Sequence, residues 1–345
     1  MSLPILTTLL ETTSLSATVY PFLHQFSLSH LLPLLHREVD PTEWYLHTNP
    51  LISGLHFSIF LSALVFVSSE INRNYSQVDR LWSLLPTFYI GHFTLFAHMK
   101  GLETERLDTL LMFGCLWSVE KARLTFNYWR KGGYKIGAED YRWNILKAKL
   151  SGPAFFAFNV VFISFLQNIL LYLIATPAYI ILLASQLPAG ISPAWSVIDL
   201  AFSRGLIIVL IAETFADQQQ WNFQAAKSAY QATGIVPPKF EKEDLDRGFV
   251  VTGLWSFSRH PNFAAEQTIW VLVYMWSCYV VDVTYLWAGA GAFLYCALFQ
   301  VSTVLTESIT DSKYPEYKEY QMRVNKFIPG PSAFRTDETS GKKDQ

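Results

Sequence analysis

Leu51-Ile52-Ser53-Gly54-Leu55-His56-Phe57-Ser58-Ile59-Phe60-Leu61-Ser62-Ala63-Leu64-Val65-Phe66-Val67-Ser68-Ser69 runs for nineteen residues without an aspartate, glutamate, lysine or arginine. A helix of about 17–25 mainly apolar residues can cross the hydrocarbon core of a bilayer, so this stretch reads as a membrane span. Six further candidates follow at 81–99, 107–126, 154–183, 197–215, 267–281 and 285–305. Any one of them could be a buried core helix. Seven in one chain make that reading poor. The fourth is too long for one straight span, and Gln167-Asn168 and Pro177 within it predict a kink, a strong tilt or a re-entrant piece. The sixth and seventh are joined by Asp282-Val283-Thr284, which reads as a tight helical hairpin.

Composition agrees. Charged residues make up 16% of the chain and apolar residues 51%, against about 25% charged in an average soluble domain. A soluble surface needs polar cover, whereas lipid-facing surface does not. The expected fold is all-α and polytopic, with about seven transmembrane helices and cytosolic loops capping a cofactor cavity. Residues 51–331 form one membrane-embedded domain in this reading. Residues 1–50 form a partly interfacial lead-in, and residues 332–345 a disordered cytosolic tail.

Charge placement orients the spans. Twenty basic residues fall on the side holding the 128–153 and 217–265 loops and the C-terminus, against Arg37, Lys100 and Arg106 on the other. Lysine and arginine favour the cytoplasmic side, so the C-terminus and the long loops are expected in the cytosol. The formal net charge of −2 gives no reason to expect nucleic-acid binding. Residues 1–36 contain no lysine or arginine, so they lack the positive start of a signal peptide. Lys342-Lys343 reads as a solvated tail or as an endoplasmic-reticulum return signal. Cys115, Cys278 and Cys296 lie in apolar segments without metal-ligand spacing.

Polar residues are expensive in a membrane and therefore mark function. Asn72 to Trp82 is a short loop dense in hydrogen-bonding groups, with Asp79 expected to enter a helix, where capping it is the plainer role. Lys131-Gly132-Gly133-Tyr134 and Glu139-Asp140-Tyr141-Arg142-Trp143 offer turns, ion pairs and stacking, or simply a seat on the interfacial belt. Glu213, Asp217, Gln220 and Gln224 recur at helical spacing and form a polar stripe beginning inside span five. Carboxylates so placed suit ribose hydroxyls or an amide. In Ser258-Arg259-His260-Pro261-Asn262-Phe263, proline holds His260 extended and starts a helix. Arg259 and that helix terminus together suit a phosphate. Asn262, Glu266 and Trp270 follow at intervals of four along one face. Tyr314-Pro315-Glu316-Tyr317-Lys318-Glu319-Tyr320 could lid the same cavity or lie in the interface.

Gly253-Leu254-Trp255, Arg259-His260-Pro261-Asn262-Phe263, Glu266 and the tyrosine-rich run ending in Phe327-Ile328-Pro329 together resemble the steroid 5-alpha-reductase-like superfamily. Closest is its branch long catalogued as a domain of unknown function. Asp79-Arg80-Leu81-Trp82, Glu139 to Trp143 and Ala216-Asp217-x-Gln219 are similar to that branch as well, so the resemblance covers about residues 70–331. It implies NADPH bound at the cytosolic face by Glu213, Asp217, Asn262, Glu266 and Trp270, with Arg259, His260 and Tyr314 as further contacts. It implies hydride delivery to the C=C of an enone in a sterol or other lipid, in a multi-pass protein of the endoplasmic reticulum. Tyr75, Asp79 and Tyr141 are the candidates for polarising the carbonyl. Two positions depart from the pattern. Ala264-Ala265 replaces a bulky-Gly pair, and Ser308 replaces a basic residue. The alternatives are an S-adenosylmethionine-dependent membrane methyltransferase, which uses a similar Arg-His-Pro block, and a non-catalytic lipid-binding relative.

Overall fold

The computed structural model describes residues 2–130, 133, 135, 137–188 and 190–330, with the side chains of 122–130 excepted. Among these residues the chain is helical and contains no strand. The principal elements are α1 (Pro50–Asn72), α2 (Leu85–Met99), α3 (Glu105–Arg130), α4 (Tyr141–Lys149), the interrupted α5 (Gly152–Ser185), α6 (Val197–Thr233), α7 (Lys242–Arg247), α8 (Pro261–Val280), α9 (Ala290–Lys313) and α10 (Tyr317–Arg323). The expectations for Lys131, Gly132, Tyr134, Lys342 and Lys343 and for the 332–345 tail concern residues outside those described.

Each of the seven expected stretches overlaps helix, the second only from Leu85 and the seventh as α-helix only from Ala290. Among the described residues three stretches, Pro50–Asn72, Gly152–Ser185 and Trp287–Lys313, are long and apolar enough to cross a membrane. The others are shorter or carry charge: α2 has 15 residues, and α6 carries Asp199, Arg204 and Glu213.

The decisive stretch is inside-out. On α1, Ser58, Ser62, Val65 and Ser69 are buried, while Phe60, Leu64, Val67 and Ile71 are 48–75% exposed. A water-soluble helix buries its apolar stripe; here the small polar stripe is buried and the apolar one faces out. That arrangement suits helices packed through small residues within lipid.

The chain divides into two compact units, formed by the described residues of Met1–Gly205 with Val271–Tyr295 and of Leu206–Trp270 with Cys296–Gln345. In the first unit, α1 packs against α2 and α5, and α2 against α3. Asn49 caps α1 by accepting from the Leu51 N–H at 2.9 Å, and its amide donates to Tyr179 Oη at 3.1 Å. The Tyr179 hydroxyl in turn donates to the Thr18 carbonyl, tying the N-terminal short helices to the bundle.

The fourth segment is interrupted twice. A π-helical stretch spans Asn159–Leu166, and a turn at 174–176 precedes Pro177, which heads the last piece. Inside the bundle Asn159 donates to Ser69 Oγ and Glu70 Oε1, both at 2.9 Å, so the buried amide is satisfied as burial demands. At the other end, Arg106 donates to both oxygens of fully buried Asp199, at 2.7 and 2.9 Å, and the Trp276 indole adds a bond at 2.8 Å.

Two boundaries differ from the expectation. α2 starts at Leu85 because residues 77–84 form turns and Pro86, lacking an N–H, belongs in a first helical turn. The connection after α8 runs from 281 to 289, with Asp282 left-handed and a 3-10 turn at Trp287–Gly289, so it is longer than a three-residue hairpin.

Candidate functional site

Eight of the candidate residues lie in the second unit, and its construction begins on α6. Ala216, Gln219, Phe223 and Ala226 form the face that receives the Gly253–Ser256 turn. The Trp255 indole donates to the Ala216 carbonyl at 3.0 Å, and the Leu254 N–H donates to Gln219 Oε1 at 3.0 Å. Gly253 is required here. Its φ is +64°, and a Cβ would stand 2.5 Å from the Gln219 amide. Trp255, Phe223, Ala226, Leu245 and Val250 close one apolar core beneath this turn.

The polar stripe of α6 runs beside that face. Glu213 is buried, and Asp217, half-buried one turn later, accepts from Asn262 Nδ2 at 2.8 Å. Asn262 is the second residue of α8. One turn on, Glu266 is buried and accepts from the indole of Trp270 at 2.9 Å. Asp217 therefore meets Asn262, and Glu266 meets Trp270.

Arg259 and His260 are committed elsewhere. The Arg259 fork grips Glu307 through Nε at 2.7 Å and Nη2 at 3.2 Å, while Nη1 donates to the carbonyls of Gln321 and Val324. His260 Nε2 lies 2.9 Å from Glu307 Oε1. Tyr317 Oη at 3.3 Å and Gln321 Nε2 at 3.1 Å also donate to Glu307. The main chain is paired too: the N–H groups of Arg259 and His260 donate to the carbonyls of Asn325 and Lys326, and that of Gly330 to Phe257. Residues 314–330 thus form a strap along residues 255–260. Tyr317 and Tyr320 pack with Phe249, Val251 and Val324 beneath it, and burial pushes both phenols above their ordinary range. Tyr314 starts the strap. Its ring fills the space above Gly248, where a Cβ would come within 2.1 Å, and its hydroxyl accepts from Lys227 at 3.2 Å.

Tyr75, Asp79 and Tyr141 lie in the first unit. Asp79 is six residues ahead of α2 and does not cap it; its Oδ2 accepts from the indole of buried Trp143 at 2.9 Å. Burial raises its carboxyl above the usual range, against the opposing pull of the Trp143 N–H and Arg142. Tyr75 is buried nearby in the same apolar cluster as Trp143. Its N–H donates to Glu139 at 2.8 Å, and Lys147, paired with Glu139, sits 4.4 Å over its ring. Asp140 caps α4. Tyr141, the first residue of α4, is exposed. Arg80 joins this cluster to Ala138 and Gly133 through their carbonyls.

A family described as "Protein of unknown function (DUF1295)" matches residues 65–324. The chain belongs to the DUF1295 family. "Uncharacterized protein C594.04c" of Schizosaccharomyces pombe is 36% identical over 330 residues, covering 95% of this chain and 93% of that relative. No solved structure matches the chain. The DUF1295 match runs from within α1 to Val324, part-way along the strap, and so contains every candidate residue of both clusters.

Glu307 is the acceptor on which Arg259, His260, Tyr317 and Gln321 converge, and the sequence pattern does not single it out. In sequence it stands just past an apolar run, two residues after Leu305. The available signal was its depth, since a carboxylate that close to an apolar run needs a cation, and Arg259 is near a comparable boundary. Of the two departures, Ala265 is buried, whereas Ser308 is exposed and donates only to its own helix at Leu305.

Proposed function

We propose that this protein is a multi-pass membrane oxidoreductase that binds NADPH at the second unit and reduces an activated C=C of a sterol or other lipid. The supporting observation is the burial of Glu213 and Glu266 to 2% exposure beside the Asp217–Asn262 pair. Ionisable groups are costly at such depth and mark functional sites. Their chemistry fits a dinucleotide in its hydroxyl-rich parts. Asp217 and Glu266 can accept from ribose hydroxyls, and Asn262 can both donate to and accept from a carboxamide. Arg259 is spent on Glu307, so its contribution to a phosphate is secondary to holding the strap.

When bound, the nicotinamide supplies a hydride to the β-carbon of an enone. The chain must then polarise the carbonyl oxygen, because stabilising the developing enolate lowers the barrier. Within the first unit, taken by itself, Asp79 is the best suited of the three candidates to donate a hydrogen bond, because burial raises its affinity for a proton. Tyr75 lies in the same cluster, and Tyr141 is open to solvent. The proposal includes seven membrane crossings, a cytosolic C-terminus and residence in the endoplasmic reticulum, as the charge asymmetry and the superfamily resemblance suggest.

Feeding membranes that contain the protein with NADPH deuterated at the transferable position tests the reaction. Deuterium should appear at carbon in a lipid product, and not with Glu266→Gln. A methyl group from labelled S-adenosylmethionine appearing in lipid instead would replace this reading with methyl transfer.

A further inference from the structure

Glu307 accepts from four side chains at once, two from adjacent residues before α8 and two from successive turns of α10. Arg259 and His260 precede α8, while Tyr317 and Gln321 lie on α10. Its own exposure is 7% and that of Arg259 is 9%, so the pair is well shielded from water. The residues it fixes are also the entry to α8. The Arg259 and His260 N–H groups are pinned to the strap, Pro261 is the first helical residue, and Ala264 closes the first turn onto the His260 carbonyl at 2.9 Å. Asn262 sits within that turn and reaches Asp217 at 2.8 Å. A shift of about 1 Å at the entry would carry the bond beyond normal hydrogen-bond length. The imidazole is held as firmly as the main chain, with Nε2 on Glu307 and its ring stacked 5.5 Å from Phe263.

We propose that Glu307 is a positioning residue for the candidate site: it keeps the 314–330 strap closed on residues 255–260, and closure sets the register of Asn262 and Glu266. This rests on the nucleotide-binding reading given above, but the strap can be tested without it. Glu307 need not touch a ligand. Its carboxylate is already filled by protein donors, and its effect passes through Arg259, His260 and the strap. If only one molecule in ten remains closed once the carboxylate is neutralised, apparent nucleotide affinity falls about tenfold.

The experiment compares wild type, Glu307→Gln and Glu307→Asp, full length in detergent, by hydrogen exchange and by NADPH titration. In Glu307→Gln the amides of Arg259, His260 and Gly330 should exchange faster while those within α6 keep their protection. NADPH should bind about tenfold or more weakly, with part of both losses recovered in Glu307→Asp. Unchanged strap exchange in Glu307→Gln overturns the proposal, whatever happens to affinity, because a direct ligand contact would then be at work. A freely exchanging strap with wild-type affinity overturns it equally. If wild type binds no NADPH, the cofactor reading fails, and strap exchange alone decides whether Glu307 holds closure. Should Glu307→Gln not fold, Tyr320→Phe removes the hydroxyl that bonds Trp255 and Ser258 without disturbing charge, and the same two readouts apply.

Discussion

Adding one methyl group at Gly291 should damage the first unit. A Cβ on Gly291 would stand 2.3 Å from the carbonyl carbon and oxygen of Leu173 and 2.6 Å from the Ile174 nitrogen. Those atoms are main chain at the break in α5, so no rotamer change can clear them. Overpacking generally costs about 1–3 kcal/mol, and a main-chain obstacle places Gly291→Ala toward the upper end. Alanine is favoured over glycine by at most about 1 kcal/mol in a helix, so the clash wins by about 2 kcal/mol. Gly205→Ala is the matched control. It lies within α6, and a Cβ there meets nothing within 4 Å, leaving only the helical gain. Thermal melts of purified protein in one detergent give the comparison. At about 2–4 °C per kcal/mol, Gly291→Ala should melt about 4–8 °C below wild type and Gly205→Ala slightly above it. A Gly291→Ala protein as stable as wild type would refute the close helix approach.

Asp79 should make stability pH-dependent in an unusual sense. Its folded pKa is raised, so its contribution is complete below the unfolded value, about 3.9, and is lost as pH rises through the folded value. Asp79→Asn keeps an acceptor for Trp143 and should flatten that part of a melting-versus-pH curve. Arg106→Met leaves fully buried Asp199 without its cation and should destabilise by about 3–5 kcal/mol in denaturant or thermal unfolding. Adding Asp199→Asn should recover part of the loss. Gly253→Ala imposes a left-handed alanine costing about 1–2 kcal/mol and a clash with Gln219. Gln219→Ala should relieve the clash alone, read as partial recovery of melting temperature.

The helices were legible because membrane spans are written in consecutive residues. Leu51 to Ser69 needs no distant information to declare itself. The break before Pro177 falls where an imino residue interrupts the apolar run, whereas Gln167-Asn168 lie in regular helix and the π-helical stretch precedes them at Asn159–Leu166. Ends were less legible. Pro86 placed the true start of α2 more reliably than hydropathy, which blurs across the turns at 77–84. The stripe Glu213–Asp217 and the face Asn262–Glu266–Trp270 were readable from helical period, but their pairing, Asp217 with Asn262, was not. Glu307 shows the limit most clearly. Its partners lie 48, 47, 10 and 14 residues away, and periodicity carries no trace of contacts made through loops. The Asp79–Trp143 bond joins residues 64 apart, so the cap reading of Asp79 failed for the same reason.

A nucleotide titration of the purified full-length protein bears most directly on the central claim. NADPH should bind saturably, compete with NADP, and bind more weakly to Glu266→Gln and Arg259→Ala, while S-adenosylmethionine should not displace it. Tight S-adenosylmethionine binding without NADPH binding, or a folded protein that binds neither, would contradict the account.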